Sequence, residues 1–126
     1  MHIKFFTCIF LMLISISLFG QIEIKFPPTR MVYQRNTSGN ATLFITGTYL
    51  SNIGKIQARL KTRAGEPGVA VSWTDIVGAV SGNVFSGSLS ASGGRYDLEV
   101  RGLKNGQQVG SSVTVEKVGV LSITDS

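Results

Sequence analysis

Cysteine and histidine are nearly missing from this 126-residue sequence: each occurs once, as Cys8 and His2. Both fall in a stretch that reads as removable. Residues 1–4 form a weakly basic head with Lys4, residues 5–19 are almost wholly apolar, and Gly20 places a small residue before Gln21. That is the layout of a secretory signal peptide, with cleavage expected after Gly20, so the mature chain is expected to be secreted or periplasmic. The apolar run is about 15 residues, short of the ~20 that a membrane-spanning helix needs. No membrane attachment is therefore expected once the leader is gone, and Cys8 has no lipobox-like boundary after it.

Without imidazole or thiol, the mature chain lacks the parts for a Ser-His-Asp or Cys-His site, for a zinc site of nitrogen and sulfur ligands, and for a disulfide or redox pair. Carboxylate chemistry remains on paper only. The seven acids, Glu23, Glu66, Asp75, Asp97, Glu99, Glu116 and Asp125, are scattered, and neither Glu66 nor Asp75 has a second acid placed to share a glycosidase-type cleft. Aspartate-rich calcium loops are lacking, and Ser92-Gly93-Gly94 has neither the lysine nor the following helix of a phosphate loop. No cofactor is expected. Loss of Lys4 from twelve basic residues, against seven acidic ones, brings the net charge from +5 to +4. That balance, without a dense basic stripe interleaved with aromatics, argues against nucleic acid as a partner.

Helical periodicity, internal repeats and low-complexity runs are also missing. What is present is two-residue alternation, the signature of strands with one buried and one wet face. Residues 93–102, GGRYDLEVRG, show it most cleanly: Tyr96, Leu98 and Val100 point one way, and Arg95, Asp97, Glu99 and Arg101 the other, with Gly93-Gly94 and Gly102 available for turns at the two ends. In residues 55–63, KIQARLKTR, Ile56, Ala58 and Leu60 point inward against Lys55, Gln57, Arg59, Lys61 and Arg63. Four cations on one strand face repel unless an acidic partner lies alongside, so this strand is expected to pair with the one carrying Asp97 and Glu99. The rival reading of the basic face is a ligand-binding patch.

Residues 22–26, IEIKF, form a first strand stopped by Pro27-Pro28, which places it at a sheet edge or at a switch between sheets. Residues 31–34 form a short second strand, and residues 36–40, NTSGN, a turn that also contains a formal glycosylation acceptor at Asn36. In residues 41–49, Leu43, Ile45, Gly47 and Tyr49 share a face, and Phe44 breaks the polar rhythm of the other. Phe44 either packs under a loop or the N-terminal segment, or marks an interface with another domain. After a loop at residues 64–68 comes a strand at 69–76 with Trp73, the only tryptophan. Its neighbours Val69, Val71 and Ile76 point to core packing, with a sugar-stacking platform as the alternative. A turn is expected at residues 78–83. Residues 84–91 alternate Phe85, Gly87 and Leu89 with serines, none of which has a base to activate it. Asn105-Gly106 is a strong hairpin signal before a last strand carrying Val109, Val113 and Val115. Seven or eight short strands joined by Gly, Ser and Asn turns read as a single all-β, Ig-like or fibronectin-like antiparallel sandwich. The Cys, Trp and Cys hallmark of true Ig domains is absent.

The words VYQRN (32–36), IQARL (56–60), Trp73 after a glycine-containing loop, FSGSL (85–89), GGRYDLEVR (93–101) and KVGV (117–120) stand in an order that resembles the N-terminal β-sandwich of secreted bacterial carbohydrate esterases of the sialate O-acetylesterase type, in the SGNH-hydrolase superfamily. The Phe19-Gly20-Gln21 junction resembles signals of Bacteroidetes. In that family Val-Gly-Val continues into Gly-Glu-Val and then a Gly-Gln-Ser-Asn block bearing the nucleophile, whereas here LSITDS (121–126) follows Val120. The resemblance thus implies a signal peptide (1–20), an accessory β-sandwich (21–120) and a non-family tail (121–126), without a catalytic domain. No catalytic, cofactor-binding or metal-binding residue carries over. What it implies is a non-catalytic accessory domain of such an esterase, in the form of a truncated remnant, with a stand-alone carbohydrate-binding or adhesive module as the alternative. The partner is then an esterase catalytic domain or a glycan, contacted through Trp73 or Phe44, and an interface left without its partner predicts self-association.

Overall fold

The computed structural model describes residues 22–50, 53–76, 83–122 and the backbone of 80–81. The expected signal peptide and residues 123–126 of the expected tail lie outside the described residues. Strands β1 (Ile22–Phe26), β2 (Val32–Gln34), β3 (Asn40–Tyr49), β4 (Lys55–Thr62), β5 (Val71–Asp75), the two-residue β6 (Val80–Ser81), β7 (Val84–Ser92), β8 (Gly94–Lys104) and β9 (Gln107–Leu121) follow one another without a helix among the described residues. They form two sheets, ordered β1-β3-β7-β6 and β2-β9-β8-β4-β5. The protein is an all-β sandwich: β1-β3-β7-β6 follows the A-B-E-D order of Ig-type sandwiches, and β9-β8-β4 follows G-F-C, with β2 and β5 added at its two edges.

Alternation builds the core as the sequence predicts. Leu43 and Ile45 of β3, Ile56, Ala58 and Leu60 of β4, Phe85, Leu89 and Ala91 of β7, and Tyr96, Leu98 and Val100 of β8 are all buried between the sheets. Pro27 ends β1, which lies at an edge, and the chain then crosses to the other sheet as β2, so both expected consequences of the proline pair are realised. Asn105 and Gly106, at φ 53° and 80°, make the tight β8–β9 turn, where two consecutive left-handed residues match the twist of the strands.

Four expectations need correction. The sandwich is not purely antiparallel: β2 runs parallel to β9, Tyr33 opposite Val120, because the crossover from β1 delivers the chain to the far sheet in the same sense as β9. Gly102 is no turn. It lies inside β8 opposite Ile56, and a Cβ there would come within 2.6 Å of Ile53 Cδ1, so glycine is present to admit the isoleucine. The stretch expected to be only a turn before Asn83 contains β6, which pairs with β7; two residues are too few for a periodicity to register. The strand bearing Trp73 begins at Val71, two residues later than expected.

Tyr96 has a second role that its inward position did not announce. Its buried hydroxyl donates to the Ser92 carbonyl (2.8 Å), and accepts the Val69 N–H (3.1 Å). This is the tyrosine-corner arrangement of Ig-type sandwiches, in which a tyrosine early in a strand ties back to backbone a few residues upstream. Tyr33, by contrast, buries its hydroxyl with no hydrogen-bond partner, and burial raises its pKa above the ordinary 10.0.

The same substitution should therefore act with opposite sign at the two sites. Tyr96→Phe strands the Val69 N–H and the Ser92 carbonyl, and is expected to cost about 1–3 kcal/mol in urea unfolding, whereas Tyr33→Phe removes an unsatisfied group and is expected to be neutral or stabilising. Burial favours the neutral Tyr33 phenol, so its contribution is intact below pH 10 and declines as pH rises through the raised value; Tyr33→Phe should remove that share of the alkaline loss.

Candidate functional site

Two outer faces carry the candidate residues. On the five-stranded sheet, β4 and β8 pair antiparallel with Arg59 opposite Glu99 and Lys61 opposite Asp97. Arg59 forms an ion pair with Glu99 through Nε, and Arg63 reaches Asp97 at 2.7 Å. The cationic stripe is thus relieved by the acidic one, as expected. Further along the same face Arg101 donates twice to Gln57 Oε1, at 3.0 and 2.7 Å, and Gln57 donates to Asp75 at 2.8 Å. The Gln57 hydrogen bond leads in holding the Asp75 carboxyl below its ordinary 3.8, opposed by desolvation and assisted by Lys55.

Trp73 joins this face instead of the core. In β5–β4 pairing Thr74 lies opposite Ala58 and Val71 opposite Leu60, with a register shift between them. Two residues, Ser72 and Trp73, therefore oppose Arg59 alone, a bulge of the two-against-one kind. The extra residue turns Trp73 to the opposite face from Val71, which keeps its inward position against the core. Half-buried there, the indole is flanked by the guanidiniums of Arg59 (4.4 Å from the ring centroid) and Arg101 (4.2 Å). Such contacts are worth about 0.5–1 kcal/mol each at exposed sites. Periodicity missed the placement because a bulge inverts it, and no residue type in VSWTD marks one.

On the four-stranded sheet, Phe44 lies in the middle of β3 opposite Ser88 of β7, between the pairs Thr42–Ser90 and Thr46–Ser86. It is 60% exposed, and Val84, opposite Thr48, is 54% exposed. No loop among the described residues covers the ring. The centre of this face carries Thr and Ser side chains around one aromatic, and on the adjacent β1 the exposed Glu23 and Lys25 form an ion pair.

Among the described residues, no group of three or more His, Cys, Asp or Glu is placed to hold a metal ion, and no helix is long and apolar enough to cross a membrane. Tyr49, another aromatic of β3, is buried. Comparison with protein-family models, curated proteins and solved structures returned no match to this chain.

Reversal of Asp97 and Glu99 to lysine should convert two attractions into repulsions. The expected result is a Tm lower by roughly 5–10 °C, from about 1–2 kcal/mol in a domain of this size. An unchanged Tm would mean that the cross-strand charges contribute nothing.

Proposed function

We propose that the chain is a non-catalytic Ig-like accessory module that acts by contact, docking a neighbouring domain through the Phe44 face of its four-stranded sheet. In the setting that the resemblance implies, that neighbour is the SGNH catalytic domain of a secreted sialate O-acetylesterase. The observation that carries the reading is the exposure of Phe44 among the Thr and Ser side chains of β3 and β7. Interface cores are depleted in charge and enriched in aromatic residues, and the exposed Phe44 ring, with no charged residue paired to it on β7, shares those two features. The absence of any His or Cys after Cys8 supports a role without chemistry of its own.

A second reading, a stand-alone carbohydrate-binding module, is favoured by the position of Trp73 on the outer surface. Against it, two guanidiniums already lie against the indole, so a sugar would have to displace at least one of them to stack.

Calorimetric titration of the chain with the isolated catalytic domain of a sialate O-acetylesterase is expected to show binding that Phe44→Asp abolishes without loss of fold. Sedimentation of the chain alone should show concentration-dependent association, again lost in Phe44→Asp. Glycan-array binding that disappears with Trp73→Ala, with no binding to the catalytic domain, would establish the second reading instead. Turnover of an acetyl ester by this chain unaided would contradict both.

A further inference from the structure

On the outer face of the five-stranded sheet, away from Phe44, three adjacent strands bring Val32, Gly119 and Arg95 into one row, with Gly119 opposite Val32 on β2 and opposite Arg95 on β8. Val118 and Val120 are fully buried, so alternation aims position 119 outward. Glycine places no side chain there. A dent results, walled along β9 by Lys117 and Leu121, across the sheet by Val32 and Arg95, and at its far rim by Arg63 and Glu66; its volume is about 360 Å³. That is within the range of small-ligand sites. A Cβ on Gly119 would meet only ordinary contacts, Leu121 Cδ1 at 3.6 Å and Val32 Cγ2 at 3.9 Å. Close packing therefore does not account for this glycine.

The charges around the dent do not balance. Arg63 is paired with Asp97 and Arg95 with Glu66 (3.2 Å). Lys117 has no carboxylate partner among the described residues. It stands at a bulge, where Glu116 and Lys117 together oppose Asp97, with φ 61°, a left-handed conformation uncommon outside glycine. Its own N–H donates to Asp97 Oδ1 at 3.3 Å, which anchors the bulge beside the dent. Among the described residues that line the dent, Lys117 is the one cation without an ion-pair partner, which suits a single negative charge. Glu66, half-exposed on the rim, can accept hydrogen bonds from hydroxyls, and Val32 and Leu121 offer apolar surface to a carbon skeleton.

We propose that this glycine-floored dent binds a hydroxylated monocarboxylate of the hexuronic acid class, its carboxylate on Lys117 and Arg95, its hydroxyls towards Glu66 and its C–H face on Val32 and Leu121. The site is independent of the Phe44 face and stands or falls separately from the docking role.

The test is titration of the ¹⁵N-labelled chain with D-glucuronate, with D-glucose and acetate as controls, followed by amide chemical shifts. Glucuronate should produce saturable shifts at Arg95, Lys117 and Gly119, glucose none, and acetate weaker ones. Lys117→Gln should weaken glucuronate binding about tenfold or more, as loss of a charge-assisted contact does. Gly119→Val should abolish binding by filling the dent while the remaining spectrum stays native. The absence of saturable shifts with glucuronate overturns the proposal, as do shifts that survive both substitutions, or equal shifts from glucose. Acetate binding as tight as glucuronate binding would overturn the assignment of a hydroxylated ligand.

Discussion

The antiparallel contact between β4 and β8 is the constraint on which the other surfaces depend. Its inner side supplies Ile56, Ala58, Leu60, Tyr96, Leu98 and Val100, all buried, and its outer side supplies Arg59, Glu99, Asp97 and Arg63 in ion pairs. A slip of one residue would send the apolar set to water and the charges to the core, so burial and electrostatics enforce the same register. β8 is an internal strand, flanked by β9 as well as β4. Through Tyr96 it also fixes the corner to β7 and the loop before β5, so the two sheets are tied where the chain passes between them.

That register also distributes chemistry over the surface. Most charged groups of the five-stranded sheet's outer face are engaged with one another, and Trp73 is drawn into their network between Arg59 and Arg101. The four-stranded sheet carries hydroxyls at its centre and leaves one phenyl ring uncovered. On the proposed reading this is a contact module whose selectivity comes from shape, from the exposed Phe44 on one sheet and from charged groups without an ion-pair partner among the described residues on the other, among them Lys117 beside Gly119.

Much of this was legible from residue order because the fold rests on period-two alternation, and alternation is written directly in stretches such as RYDLEVR and KIQARLK. The β4–β8 partnership could be read as well, since four cations on one strand face require acids nearby and only one strand offers two on its outer side. What escaped was whatever breaks the period or depends on distant chain. The bulge at Ser72-Trp73 inverts the facing of Trp73, and a bulge is set by the partner strand's register, not by local composition. Gly102 reads as a turn residue until Ile53 is seen to occupy the space its side chain would need. The parallel β2–β9 pair follows from the crossover between sheets, which no local pattern records. Phe44 was visible as a misfit, though only the structure shows its ring uncovered by the described loops. The dent at Gly119 was not visible, because it exists only where three strands meet in one row.

The most direct test of this account is native-state amide hydrogen exchange, which ranks strands by the free energy needed to open them. If β4 against β8 is the organising contact, the amides of Leu98, Glu99 and Val100 should be among the slowest in the protein and should exchange only with global unfolding. Exchange of those amides through local opening, while β3 and β7 remain protected, would contradict it.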